Sequence, residues 1–254
     1  MQKVIILNKK EGETPLEALE NFRAKHKEYK EVKMTYAGRL DPMASGVLII
    51  LAGEETKNKE KYLNYDKEYE FQILFGFATD TYDILGKVIT CVRQDLTQDK
   101  VYARQDLVKL IKKNLKYFIG ERIQKYPIYS SKTVKGKPLF VYARENEEVE
   151  IPERKVFIKQ IRFLGLKKIT NKKLLENIER RVKKVKGDFR QKEILKIWQQ
   201  QIQQGLPSLR IGEFKVKCSS GTYVRGIANS LGEKIDIPAL AFSIKRTKVG
   251  KFKN

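Results

Sequence analysis

Histidine is almost missing from this chain. His26 is the only one in 254 residues, beside two cysteines and one tryptophan. A histidine-centred triad and a zinc site of clustered Cys and His both need more of these residues than exist. Cys91 and Cys218 lie far apart, which suggests neither a disulfide framework nor a metal knuckle. Each sits in an apolar, strand-like stretch and reads as a buried thiol in a reducing cytoplasm. His26, within Arg23-Ala-Lys-His-Lys-Glu28, is expected to face solvent. No apolar run approaches the ~20 residues that span a bilayer, and nothing reads as a signal peptide or lipidation motif. A phosphate-binding loop is absent too, since Gly53-Glu-Glu-Thr-Lys57 lacks the spacing. Chemistry, if there is any, falls to Asp, Tyr, Lys and Arg.

Acidic residues are also short: 31 Asp and Glu stand against 53 Lys and Arg, a net charge of +22. The excess is spread along the chain rather than held in a tail, which favours a polyanionic partner, nucleic acid ahead of a membrane surface. The length and a 41% hydrophobic content suffice for one large domain or two small ones.

Val4–Leu7 reads as a buried strand. Thr14-Pro-Leu-Glu17 then supplies an N-cap, a proline at the first helical position and a capping glutamate for a helix running to about Tyr29. A strand is expected over Val47–Leu51 and a short Lys-rich helix near 56–65. Tyr69, Phe71, Ile73, Phe75 and Phe77 alternate with mostly polar neighbours as in a half-buried strand. Gly86–Val92 reads as a returning strand, and Leu107, Leu110, Ile111, Leu115 and Phe118 as a helix stopped by Gly120. Strands are expected at 157–163 and 213–218, and a helix at 223–234. The pattern predicts an α+β fold around a mixed sheet.

Residues 167–204 stand apart, with twelve basic and four acidic residues. Leu174, Leu175, Ile178, Val182, Val185 and Phe189 make one apolar stripe. Gly187 breaks it, and Asp188 with Gln191 would cap a second helix carrying Ile194, Leu195, Trp198 and Ile202. We read an inserted basic helical hairpin, either gripping RNA or serving as a solvated structural element.

The most informative stretch is Tyr36-Ala-Gly-Arg-Leu-Asp-Pro-Met-Ala-Ser-Gly-Val-Leu48. It sets one carboxylate, Asp41, in a turn bounded by Gly38 and Gly46 and stiffened by Pro42. An acid so held beside a strand is well placed to act on a substrate; capping the turn is the plainer role for an Asp-Pro pair.

Taken together, several motifs resemble the TruB family of tRNA pseudouridine synthases. Gly38-Arg-Leu-Asp-Pro-Met-Ala-Ser-Gly46 is similar to its catalytic segment, Lys67-Glu-Tyr69 to its Lys-x-Tyr strand, and Thr79-Asp-Thr-Tyr-Asp83 with Gly86 to its Thr-Asp-Thr-x-Asp loop. Gln124-Lys-Tyr-Pro-Ile-Tyr-Ser130, Lys135-Gly-Lys137 and Tyr142-Ala-Arg144 resemble a tRNA-gripping thumb over 123–146. Cys218-Ser-Ser-Gly-Thr-Tyr-Val-Arg225 with Leu231-Gly-Glu233 resembles the Ser-x-Gly-Thr-Tyr-x-Arg segment. The likeness covers roughly 3–166 and 210–252.

The resemblance implies a pseudouridine synthase-like catalytic domain over 1–254, with a central mixed, mainly antiparallel sheet flanked by helices. It implies isomerisation of uridine to pseudouridine, at uridine-55 of the tRNA T loop, without a cofactor. Asp41 matches the catalytic aspartate, Arg225 the arginine paired with it, and Tyr69 the tyrosine that stacks on the uracil and serves the final proton removal. Tyr223 and Ile244 match pocket residues. Tyr36, Arg39, Lys9, Tyr129, Lys132, Lys137 and Arg144 complete the expected substrate-binding set. Tyr36 stands where the family usually has His, Arg39 where it has a small residue, and Lys10 where it has Pro. The chain is expected to lack the family's C-terminal PUA-type RNA-binding domain and to act as a monomer on the tRNA T arm, with no membrane or obligatory protein partner. A non-catalytic RNA-binding protein or tRNA-folding chaperone is the alternative, and a guide-RNA-dependent synthase a third reading. An intact Asp41, Tyr69 and Arg225 set argues for catalysis.

Overall fold

The computed structural model describes residues 2–92, 104–203 and 209–253; the last residue of the 167–204 block lies outside them. The chain begins with β1 (Val4–Lys9) and α1 (Pro15–Lys25), whose start carries the expected capping box between Thr14 and Glu17. A 3-10 turn at Lys27–Tyr29 follows. His26 there stacks on Phe22 at 4.2 Å, so its ring is half-covered rather than solvated.

Next come β2 (Met34–Ala37), β3 (Ala44–Ala52), α2 (Lys59–Leu63) and β4 (Lys67–Phe75). The expected strand through Phe77 is broken at Gly76, where φ is +111 and the amide donates to Pro238 O at 2.7 Å. The chain re-enters as β5 (Phe77–Thr79) and returns as β6 (Val88–Cys91). Of the two thiols expected to be buried, Cys218 is; Cys91 is only half-buried, beside Gln201 Oε1.

α3 (Arg104–Leu115) precedes β7 (Gly120–Lys125), the small ribbon β8 (Thr133–Val134) and β9 (Lys137–Pro138), and α4 (Leu139–Glu145). Then follow β10 (Glu153–Ile169), α5 (Asn171–Val182), α6 (Gln191–Gln203), β11 (Leu209–Cys218), α7 (Val224–Ile235), β12 (Ala239–Val249) and β13 (Phe252–Lys253).

The main sheet runs β1-β3-β12-β4-β11-β10-β7, with β2 on β3 and β13 on β12. Among the described strands only β3 and β12 pair in parallel, so the sheet is mixed and mainly antiparallel. β3 is apolar along its length because it is covered on both faces, the usual pattern for an interior strand. The alternation in β4 separates two cores. Phe71, Ile73 and Phe75 face α3 and α7, packing on Leu107, Ile111, Ile227 and Leu231. Leu74 faces the other way, toward the α5–α6 hairpin.

That hairpin is part of the core, not a solvated appendage. Leu174, Ile178, Val182, Ile194, Trp198 and Ile202 are buried against Phe77, Ile84, Leu209 and Leu240. The Trp198 ring lies 4.7 Å from Phe77, and its indole N–H donates to Gly86 O at 3.2 Å. α5 stops at Val182, so Val185 and Phe189 of the expected helical stripe belong to the turn between the helices. Among the described residues no helix is long and apolar enough to cross a membrane.

Candidate active site

Asp41 sits in the loop joining β2 to β3. Gly38 has φ +86, Ala44 N donates to Asp41 O at 2.9 Å, and Gly12 N donates to Pro42 O at 2.8 Å, so the turn is held from inside and from outside. The Asp41 carboxylate does not cap that turn. Arg225 Nε donates to its Oδ2 at 2.9 Å and Nη2 approaches Oδ1 at 3.5 Å. The arginine side chain is 2% exposed and the aspartate 36%, so the cation is sealed in and the carboxylate opens outward. Arg225 spends its remaining donors on backbone: Nη1 on Thr81 O and Nη2 on Tyr129 O, both at 2.9 Å. Burial opposes its charge, but Asp41 and Asp83 outweigh that and raise its pKa above the ordinary arginine value.

Two cavities of about 410 Å³ each meet at Arg39, Leu40, Asp41, Ser130 and Ser131. One holds Tyr69, Tyr223, Ile244, Lys132 and Arg154. The other is walled by Tyr36, Tyr129, Arg144 and the α5–α6 turn. The structure thus brings Asp41, Arg225, Tyr69, Tyr223, Ile244, Tyr36, Arg39, Tyr129, Lys132 and Arg144 to one cleft. Burial pushes the Tyr69 phenol up to about 12, with the Arg246 guanidinium pulling the other way, so it stays protonated at neutral pH. Burial also raises the Tyr223 phenol, and its ring meets Tyr126 edge-on at 5.6 Å.

Two expected contacts fall elsewhere. Lys9 is 1% exposed, and its ammonium donates to Lys10 O and Glu13 O, fastening the turn between β1 and α1 instead of facing a substrate. Burial lowers its pKa to about 8. Lys137 pairs with Glu145 and Glu147 at the foot of α4 and lines neither cavity.

Three residues escaped the sequence reading. Arg246, 1% exposed, donates from Nε to Val47 O at 2.8 Å, from Nη1 to Arg39 O and from Nη2 to Gly38 O, clasping both ends of the Asp41 loop. Asp83 is buried, accepting from Thr81 Oγ1 at 2.7 Å and Leu85 N at 2.9 Å; burial raises its carboxyl to about 6. Arg190, in the hairpin turn, reaches Tyr129. Nothing local in sequence marks the first or third. Asp83 sits in the quoted Thr-Asp-Thr-Tyr-Asp motif, which was the available signal. Among the described residues no three His, Cys, Asp or Glu side chains converge where a metal ion would sit.

Comparison with known proteins bears on this geometry. Residues 25–189 match the family described as TruB family pseudouridylate synthase (N terminal domain). The chain is 32% identical over 250 residues to a tRNA pseudouridine synthase B of Lactobacillus acidophilus, covering 98% of this chain and 69% of that protein. It is 34% identical over 221 residues to the protein of the same name from Caldanaerobacter subterraneus, covering 87% of this chain and 60% of that one. Among solved structures, a chain of a Cbf5-Nop10-Gar1 complex superposes with a TM-score of 0.54 at 20% identity, over 99% of this chain and 50% of that one. At that identity the likeness speaks for the fold alone.

Proposed function

The chain belongs to the TruB family of pseudouridylate synthases, and on that premise we propose that it isomerises uridine to pseudouridine in tRNA, at uridine-55 of the T loop, with Asp41 as the catalytic carboxylate. The observation that carries this reading is the Arg225–Asp41 pair: a sealed guanidinium holds an outward-facing carboxylate where two cavities meet, beside Tyr69.

The reaction breaks the bond from N1 of uracil to C1′ of the ribose, turns the base, and joins C5 to C1′. The C5 proton leaves and N1 gains one, so nothing is oxidised or reduced. A uridine inside a folded loop must first be swung out, at a cost of a few kcal/mol. Stacking on an aromatic ring contributes about 1–3 kcal/mol per base, so Tyr69 alone offsets much of that cost. Asp41 is held toward the cleft by Arg225, whose Nε donates to its Oδ2. Its Oδ1 is the less engaged oxygen and the one free to act. A protonated Tyr69 stacks and donates. To accept the C5 proton it must pass its own on, and the Arg246 guanidinium beside it favours that anion.

We also assign RNA contact to the outer face of the hairpin, where Lys172, Lys173, Arg180 and Lys186 are exposed. The deciding experiment is to incubate purified chain with a T-arm transcript and map pseudouridine by position. Conversion at uridine-55 supports the proposal, and tight binding without conversion would leave the RNA-binding alternative.

A further inference from the structure

We propose that Arg190, at the tip of the α5–α6 hairpin, is a positioning residue for the catalytic ion pair, acting through both backbone carbonyls that hold Arg225. The proposal rests on the reading of Asp41 and Arg225 as the reacting pair, and it gives the insertion a role inside the site.

Arg190 Nη1 donates to Asp80 Oδ2 and to Tyr129 Oη, each at 2.7 Å. Its guanidinium carbon lies 4.2 Å from the Tyr129 ring centre, a stacked cation–π contact. Arg190 and Asp80 side chains are 16% and 20% exposed, so this is a largely enclosed pair rather than a surface one. Its two partners are not arbitrary. Tyr129 is itself the residue whose carbonyl accepts from Arg225 Nη2, and Asp80 directly precedes Thr81, whose carbonyl accepts from Arg225 Nη1. One guanidinium from the insertion therefore ties together the two strands of chain that aim the other guanidinium at Asp41.

The turn is built to deliver it. Arg190 has φ +62, a left-handed conformation that costs a non-glycine residue about 1–2 kcal/mol. Side chains of the turn maintain it: Asp188 Oδ1 accepts from Arg190 N at 3.2 Å, while Gln191 accepts from Phe189 N and donates to Val185 O and Gly187 O. A second tie, from Arg144 of α4 to the carbonyl of Asp188, fixes the turn to the same thumb segment. The buried Trp198 and Ile194 behind it make the hairpin a rigid base. A rigid base matters because a displacement of about 1 Å at a reacting group can cost about 100-fold in rate.

The test compares wild type, Arg190→Ala and Arg190→Lys in the full chain, reading kcat and KM for T-arm pseudouridylation, the thermal midpoint, and amide exchange at residues 79–85 and 127–131. Arg190→Ala is expected to lower kcat roughly 10- to 100-fold with KM changed less than about 3-fold. Exchange in the two segments should quicken about 10-fold, with β4 and α7 unchanged. Lysine keeps a charge for Asp80 but not the planar stack, so it should recover part of kcat. A folded alanine variant with wild-type kcat overturns the proposal, as does exchange that rises evenly across the protein. If wild type itself makes no pseudouridine, the proposed function fails. The exchange measurement still decides whether Arg190 holds the two segments: local quickening supports the clamp, and none refutes it.

Discussion

Asp41 and Arg225 divide their work by exposure, and that division sets what each substitution does. Asp41→Asn keeps the shape of the loop but removes the charge and the free oxygen, so pseudouridine formation should vanish. Affinity for tRNA should stay within a few-fold, because phosphate contacts come from the basic surface and not from an acid. Turnover and binding measured on one preparation test this, and substantial turnover by the variant removes Asp41 from catalysis. Arg225→Ala is a different injury. The Asp41 carboxylate, 36% exposed, loses its partner but stays within reach of water. The loss falls instead on the Thr81 and Tyr129 carbonyls, left without a donor at about 1–3 kcal/mol each. Denaturant unfolding should therefore show a clear drop alongside lost activity, and Arg225→Lys should regain only part, lacking the fork that reaches three partners.

Asp83 supplies a pH signature at the same scale. Its carboxyl is raised from 3.8 to about 6 in the folded protein. Below pH 4 folded and unfolded chains both hold the proton. Between 4 and 6 the unfolded chain has released it while the folded chain has not, so stability falls as pH rises through that window and levels above it. The span amounts to at most about 3 kcal/mol. Unfolding curves taken from pH 4 to 7 should show this slope in wild type and lose it in Asp83→Asn.

Among the elements, the junction of β3 with β12 decides where the site lies. It is the parallel step of the sheet, and Gly46 lies opposite Arg246 in it. A Cβ at Gly46 would stand 2.1 Å from Arg246 O, and φ there is +105. At Gly38 the angle is also positive, +86, yet the nearest atom is Arg246 Nη1 at 3.6 Å. Gly38→Ala should thus cost about 1–2 kcal/mol for conformation alone. Gly46→Ala should cost more, roughly 2–4 kcal/mol, since the clash adds to the strain. The ordering of the two in chemical denaturation is the check, and equal losses would mean that the close approach is relieved at little cost.

For the molecule as a whole, the charge of +22 and the hairpin have to be considered together. Deleting residues 167–204 cannot test RNA grip, because removing Trp198 and its neighbours would leave half of one core open. The sharper variant replaces Lys172, Lys173, Arg180 and Lys186 with Gln, all on the exposed side. If those groups meet phosphates, tRNA affinity should weaken and the log–log salt slope should flatten by roughly 0.7–0.9 for each phosphate no longer neutralised. Saturated turnover should hold, since the site residues are untouched. An unchanged slope would confine the hairpin to its part in the core and in aiming Arg190.

Local chemistry made much of this protein legible from the chain alone. The Thr14–Glu17 capping box, the apolar run of β3 and the alternation of β4 follow from patterns a few residues long, and each appears in the structure. The motifs around Asp41, Tyr69 and Arg225 are separated in the chain, and the structure gathers these three residues along one cleft. What escaped was set by residues far apart in sequence. β12 lies in the middle of the sheet but carries no clean period, because a bulge between Ala241 and Ser243 reverses which side chains face each core. Leu240 and Phe242 point to the hairpin, whereas Ile244 two residues on points to the Tyr69 face. Lys9 is the exception in distance. It looked like one more cation for a polyanion, and its partners Lys10 O and Glu13 O lie within four residues. What makes it a fastener is burial by the rest of the fold, which no local pattern shows. Arg246 and Arg190 were two among 53 basic residues; 199 residues separate Arg246 from Val47, and 110 separate Arg190 from Asp80. A guanidinium has no preference readable from its neighbours in the chain, so its role is decided by whichever carbonyls, carboxylates and rings the tertiary structure sets around it.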